Sequence, residues 1–202
     1  MGKRYNIFSN HGTTLIETAA VMSVVGIAIV GLSLGYYNIV TQYESDTVRN
    51  NLVSFGNTFI NEIAKNLVEA DSVDYSGTSM GYAKIIFSND EDIIPYLAIQ
   101  VSADGSDFIV SPESAEIAEL SIPNRGDYID SGKRTVKIER FEADANTDVR
   151  PSMRNFNSSM VTIILEFEII SKKLLSGEKP KEYVTIERAI FMPKKYIGFH
   201  VP

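Results

Sequence analysis

A run of 26 residues without a formally charged side chain, residues 18–43, constrains this chain more than any other feature. A helix of about 20 apolar residues crosses the hydrocarbon layer of a bilayer, so the run is long enough to do so. A core helix of a soluble domain rarely lacks a polar face over such a length. The run therefore predicts a membrane-spanning helix rather than a buried core helix.

The charges on either side of the run predict its orientation. Lys3 and Arg4 precede it, with no acid among the first sixteen residues, and Glu44 and Asp46 follow it. Positively charged flanks stay in the cytoplasm, so we expect a cytoplasmic N-terminus and the bulk of the chain outside. A secretory signal would be cut beyond the run, whereas here a helical pattern continues without a break.

Apolar residues recur at helical spacing beyond the run. They follow one another every three or four residues and make one stripe, with charged and amide side chains on the other faces. The stripe consists of Val48, Leu52, Phe55, Phe59, Ile63 and Leu67. The pattern predicts one continuous helix over residues 13–70, which would be about 87 Å long at 1.5 Å per residue. We expect its amphipathic half to pack on a folded head.

Glu17 is an acid at the inner end of the apolar run. A charge deep in a bilayer costs about 2.5–3.5 kcal/mol, and less near the interface. Two interpretations are open: a tolerated boundary residue, or a carboxylate neutralised by a cation from a neighbouring chain. No Lys or Arg lies between Thr13 and Tyr43 to serve as a partner. A free amino terminus would serve if the chain were cut just before Thr13.

The segment around Glu17 resembles the processing site of type IV pilins and pseudopilins. A short basic leader and the apolar run flank it, and it consists of Gly12, Thr13, Thr14, Leu15, Ile16 and Glu17. The last four of these residues match the family pattern one for one, and Gly26 with Ile27 matches a frequent pair further along. The chain departs from the family at Thr13, where an apolar residue is usual, and at Leu34, where major pilins often have a Pro.

The resemblance implies a precursor that a prepilin peptidase cuts between Gly12 and Thr13 and methylates at the new amino terminus. It implies that Glu17 then meets the terminal amine of an adjacent subunit. The segment from Thr14 to Glu17, with Leu15 and Ile16 between them, would join in this assembly step. Gly31 and Gly35 form a small-xxx-small pattern that lets helices approach closely, and with Gly26 they are the candidate packing residues.

From about residue 72 the apolar pattern alternates, which predicts a head of antiparallel strands. The predicted strands cover residues 83–87, 96–101, 108–110, 135–141, 160–170 and 182–191. An antiparallel sheet buries one face, and the helix stripe supplies its cover. The fold class is therefore α+β, a long N-terminal helix on an antiparallel sheet, which is also the pilin architecture. The lysine-rich segment of residues 171–181 is predicted to be an exposed hairpin loop.

Composition excludes several classes of chemistry. The chain has no Cys and two His, so thiolate metal sites and histidine-based catalytic triads have too few residues. A net charge of −7 disfavours a nucleic-acid binder. Asp144, Asn146 and Asp148 resemble half of a calcium loop without its Gly and closing Glu, so a polar turn is favoured. Glu166 and Glu168 are predicted to face solvent. We expect no enzyme activity, metal or cofactor.

These patterns together predict four parts: a leader of residues 1–12, a membrane and filament-core helix of 13–43, its amphipathic half of 44–70, and a head of 71–202. The expected function is that of a structural subunit of a type IV pilus or related filament. It would sit in the cytoplasmic membrane before assembly and in an extracellular or periplasmic filament afterwards. Its partners would be the prepilin peptidase, other pilin subunits, inner-membrane assembly machinery and lipid.

Two other functions stay open at this stage. One is a minor pseudopilin of a type II secretion or DNA-uptake system. The other is a monomeric membrane-tethered extracytoplasmic binding domain, for which Lys3 and Arg4 are simple cytoplasmic flanks and Gly12 is incidental.

Overall fold

The computed structural model describes residues 14–70, 72–77, 83–89, 94–123, 129, 134–145, 159–171 and 181–198. The chain divides into two units, Met1–Glu44 and Ser45–Pro202. Helix α1, Leu15–Glu69, contributes residues to both. The helix agrees with the predicted one to within a residue at its C-terminal end, and its predicted first residue, Thr13, lies outside the described part of the chain.

In the first unit, helix α1 exposes its apolar side chains on all sides. Its most apolar window of 18 residues has none of its residues buried. The helix is therefore long and apolar enough to cross a membrane, and within this unit its apolar side chains are not used as a protein core. The exposed residues include Leu15, Ile16, Val21, Met22, Ile27, Leu32, Leu34 and Ile39.

In the second unit, the same helix buries one stripe, as its sequence pattern predicts. Val48, Leu52, Phe59, Ile63 and Leu67 are all fully or almost fully buried, while Phe55 is half-buried. Burying a side chain of this size contributes about 1.5–3 kcal/mol. Most of the stability of this half of the helix comes from the stripe, because isolated helices gain little from propensity alone.

Seven described strands form two antiparallel sheets. Strands β1 to β4 pair in the order β1-β2-β3-β4, and β5 to β7 pair in the order β5-β6-β7. Their bounds are Ser72–Gly77, Ala83–Asn89, Ile94–Val101 and Phe108–Ser111 for β1 to β4, and Arg134–Ala145, Met160–Ser171 and Lys181–Phe191 for β5 to β7. A 3-10 helix, Glu116–Glu119, follows β4, and a short helix α2, Pro193–Gly198, follows β7.

The α+β class is confirmed, with two differences from the sequence expectation. The head has two sheets rather than one, and β1 was not among the predicted strands. Each of the six predicted strands is present, and each is longer than predicted at one or both ends. Strand β6 alternates as predicted, and the side chains of its inward face are buried. They are Val161, Ile163, Leu165, Phe167 and Ile169.

Aromatic rings join helix α1 to both sheets. The ring of Phe59 stacks on that of Phe108 in β4 with centroids 3.9 Å apart, and it meets Phe141 in β5 at 6.4 Å. Phe55 contacts Phe167 in β6 edge-on at 6.0 Å. These contacts place the core between the amphipathic half of helix α1 and the inner faces of the two sheets.

Helix α1 packs closely on strand β7 at Gly56. A Cβ atom at this position would lie 2.1 Å from Ile186 Cδ1 and 3.3 Å from Phe167 Cε2. A larger residue here would displace the end of the Ile186 side chain and press on the Phe167 ring. Polar contacts flank the approach, since Ser45 donates a hydrogen bond to Glu182 at 3.1 Å and Arg188 donates one to Asn61.

The last carbonyl groups of helix α1 accept hydrogen bonds from side chains of the head. The Tyr96 hydroxyl donates to the carbonyl oxygen of Asn66 at 3.2 Å, and Lys194 Nζ in α2 donates to that of Glu69 at 2.6 Å. Helix ends leave four carbonyl groups without helical partners. The end of the helix at Glu69 is thus stabilised by side chains from other elements, including a cation at its negative pole.

Candidate functional site

The first turn of helix α1 is closed by two reciprocal hydrogen bonds. The Thr14 backbone N–H donates to Glu17 Oε2 at 2.8 Å, and the Glu17 backbone N–H donates to Thr14 Oγ1 at 3.3 Å. This arrangement is a capping box, in which a residue that begins a helix and the acid three positions later satisfy each other's amide groups. Glu17 also places its negative charge at the positive end of the helix dipole.

The capping box leaves part of the Glu17 carboxylate available. An ionised carboxylate accepts about four hydrogen bonds, and one of its two oxygens is engaged by Thr14. Leu15 and Ile16 lie between the two capping residues and are exposed by 89% and 79%. The segment therefore offers a partly satisfied carboxylate, surrounded by uncovered apolar surface, to a cation from elsewhere.

The predicted site residues divide into three groups. Gly12 and Thr13, the predicted cleavage positions, lie outside the described residues. Thr14 and Glu17 are brought together by the first helical turn, in a contact that the Thr-x-x-Glu spacing would have predicted. The candidate packing residues are spread further along the helix and are not brought to the capping box. They are Gly26, Gly31 and Gly35, and a Cβ at each would meet nothing within 4 Å.

Hydroxyl side chains along the apolar helix are bonded to the helix itself. Each donates to the carbonyl oxygen four residues earlier, at 2.8–3.3 Å. The donors are Thr18, Ser23, Ser33 and Thr41. A hydroxyl that is satisfied in this way needs no water, which lowers its cost in hydrocarbon.

The paired acids of strand β6 differ from the sequence expectation. Glu166 is half-buried and accepts a hydrogen bond of 2.7 Å from Thr185. Glu168 is only 4% exposed, so the prediction that it faces solvent is wrong. It forms an ion pair with Lys181 and accepts a bond of 3.4 Å from the Tyr183 hydroxyl. The Glu168 carboxylate raises the pKa of Lys181 by hydrogen bonding and by its charge.

The metal-binding hypothesis gains no support from the described residues. Within the ranges given above, no group of three or more His, Cys, Asp or Glu side chains is placed to hold an ion. Of the partial calcium loop, Asp144 is exposed at the end of β5, and Asn146 and Asp148 lie outside the described residues.

The hydrogen bonds of Asp104 make one turn of the head sensitive to acid. Its carboxylate accepts hydrogen bonds from the Ser106 and Ser102 hydroxyls at 2.7 and 2.8 Å and from the Ser106 backbone N–H at 3.1 Å. These bonds lower the pKa of Asp104 to about 2. Since the folded pKa lies below the usual value of about 3.9, the stabilisation is fully present above that value and is lost as pH falls through about 2.

We therefore expect the Ser102 to Ser106 turn to loosen between about pH 4 and pH 2. NMR titration of the Asp104 carboxyl carbon should give a midpoint near 2. The Asp104→Asn variant should lose this pH dependence, whereas the exposed Asp107→Asn should keep it. A normal aspartate titration at position 104 would contradict the bonded turn.

Comparisons of the chain with protein-family models, with curated protein sequences and with solved structures give no match. The resemblance to type IV pilins and pseudopilins therefore rests on the residues around Glu17 and on the apolar run that follows them.

Proposed function

We propose that this chain is the precursor of a structural subunit of a type IV pilus or related filament. Its leader is removed after Gly12, Thr13 becomes the methylated amino terminus, and the subunit polymerises through helix α1. The observation that carries the proposal is the Thr14–Glu17 capping box at the start of an exposed apolar helix.

The exposed apolar half of helix α1 needs a non-aqueous environment. Each Å² of apolar surface removed from water contributes about 25 cal/mol, and the residues from Leu15 to Tyr43 offer a long uncovered apolar surface. Lipid covers it in the resting subunit, and neighbouring helices cover it in the filament. The bonded hydroxyl groups of Ser23 and Ser33 suit both environments, because neither residue leaves a donor without a partner.

Glu17 has a hydrogen-bond partner both in the single subunit and in the filament. In the single subunit its carboxylate accepts the Thr14 amide. In the filament its remaining lone pairs accept hydrogen bonds from the methylated amine of an adjacent subunit. Opposite charges about 4 Å apart attract by roughly 4 kcal/mol at an effective dielectric constant of 20. This attraction fixes the axial register of neighbouring subunits without requiring the capping box to break.

The remaining assignments follow from this function. The N-terminus starts in the cytoplasm, the helix spans the cytoplasmic membrane, and the head is pilin-like and lies outside. A prepilin peptidase, sibling subunits and an inner-membrane assembly machinery are the partners. A type II secretion or DNA-uptake pseudopilus would use the same helix. The share of the chain in sheared surface filaments distinguishes a main subunit, which should dominate there, from a rare component.

Processing after Gly12 provides the direct test. In cells that assemble such filaments, mass spectrometry of the purified chain should find a methylated Thr13 at the amino terminus. The Gly12→Phe variant should remain a precursor, because a bulky side chain at the cleaved bond blocks the peptidase. A slower band on a denaturing gel would show it.

The matched control for this test is Gly2→Phe, which places the same side chain in the leader away from the cleaved bond. This variant should be processed normally. A natural protein that keeps Met1 would contradict the proposal and favour the monomeric tethered domain.

A further inference from the structure

Two adjacent tyrosines interrupt the aliphatic surface of helix α1. Between Leu15 and Gly35 the chain has no aromatic residue, and then Tyr36 and Tyr37 follow. Their side chains are 72% and 62% exposed, and they project about 100° apart around the helix. Tyrosine concentrates where a bilayer meets water, because its ring is apolar and its hydroxyl is wet.

The spacing of these tyrosines from the helix start matches a bilayer. Tyr36 lies twenty residues beyond Ile16, which is about 30 Å along a helix and equals the thickness of the hydrocarbon layer. Tyr43 is also exposed, but it lies 27 residues beyond Ile16. That length is about 40 Å, and it would fit only at a tilt of about 40°, twice the usual value.

We propose that Tyr36 and Tyr37 bind the headgroup layer of a phospholipid bilayer at its outer face and thereby hold Glu17 at its inner face. The inference rests on the membrane-spanning part of the proposed function and not on filament formation. The capping box of Thr14 and Glu17 then lies at the inner interface, where a charge costs less than at the centre.

Single cysteines test this depth, because the chain has none of its own. The full chain carrying Leu34→Cys, Asn38→Cys or Thr41→Cys is placed in vesicles of dioleoyl phosphatidylcholine. A membrane-impermeant maleimide is added, and labelling is compared with that in detergent. We expect the cysteine at 34 to label at least about tenfold more slowly in vesicles, since the hydrocarbon excludes water. The cysteines at 38 and 41 should label from the outer side.

Variants of Tyr36 and Tyr37 then test whether these two residues hold the helix at the outer interface. In the Tyr36→Ala, Tyr37→Ala double variant the helix can slide inward, and labelling at position 38 should fall towards that at position 34. Tyr36→Trp with Tyr37→Trp should keep the wild-type boundary, because Trp also prefers the interface. Tyr43→Ala is the matched control and should leave the boundary unchanged.

Two results would overturn the depth assignment. Protection that extends to position 41 in the wild-type chain, or a boundary that moves in Tyr43→Ala and not in the double variant, would place the anchor elsewhere while leaving the membrane span intact. Full labelling at every position would remove the membrane span itself, and with it that part of the proposed function.

Discussion

Replacing Glu17 with valine should leave membrane insertion intact and abolish incorporation into filaments. The change removes a charge from the inner boundary of the apolar helix, so insertion becomes easier if it changes at all. It also removes the proposed attraction of roughly 4 kcal/mol for the amine of an adjacent subunit. At about 1.4 kcal/mol per tenfold change in affinity, the affinity between subunits should fall by up to about three orders of magnitude, and filament yield should fall with it. Immunoblots of the membrane fraction and of the sheared filament fraction measure the two effects separately.

The capping box makes a second variant necessary, because valine removes a hydrogen bond as well as a charge. Gln at position 17 can still accept the Thr14 amide, as Gln substitutes for Glu in capping boxes. We expect Glu17→Gln to keep the start of the helix and to lose filaments, as valine does. Wild-type filament yield from Glu17→Gln would show that the cap is required and the charge is not, which would contradict the proposed role in subunit register.

The amphipathic half of helix α1 was predictable because its pattern is strong and local. Apolar residues at helical spacing leave one buried stripe, and Leu52 and Ile63 are buried as expected. Strand β6 was predictable for the same reason at a period of two. Strand β1, Ser72–Gly77, was not, because its sequence is polar and ends in Gly. It is a strand because it pairs with β2, the next strand along the chain, and this pairing cannot be seen in the residues of β1 alone.

Glu168 shows the limit of alternation as a guide to burial. Its position in β6 places it on the face opposite the core residue Phe167, and that face is usually wet. The neighbouring strand supplies Lys181 and Tyr183, which cover the carboxylate and bond to it. The spacing of residues in the sequence predicts on which face of the sheet a side chain lies. Whether the side chain is buried there depends on the side chains of the neighbouring strand.

In the candidate site, too, the features that are local in the sequence were the predictable ones. The predicted cleavage segment and the apolar run are contiguous in sequence, so the resemblance to a family pattern pointed to Glu17 directly. Its contact with Thr14 is also local, and the Thr-x-x-Glu spacing is a signal from which it could have been predicted. The partner that we propose for Glu17 in a filament belongs to another chain, so no pattern within this chain would contain it.

Phe59→Ala should strongly destabilise the head. The side chain is fully buried and contacts the rings of Phe55, Phe108 and Phe141. Removing a buried phenylalanine ring costs about 3–5 kcal/mol, out of a usual total of about 5–15 kcal/mol. For a chain of this size each kcal/mol lowers the Tm by about 2–4 °C, so a decrease of about 6–20 °C is expected. Circular dichroism of the full chain in detergent during heating measures it.

The control for this loss lies on the same helix. Val68 is 43% exposed, so Val68→Ala should change stability by no more than about 0.5 kcal/mol. Glu17→Val should likewise leave the Tm of the head unchanged, because position 17 lies in the first unit and contributes nothing to the buried stripe. If Phe59→Ala and Val68→Ala were equally stable, the helix would not be part of the core. A lower Tm in Phe59→Ala, together with an unchanged Tm and a loss of filaments in Glu17→Val, would show that the helix has two separable roles. Its outer half would fold the head, and its inner half would join subunits.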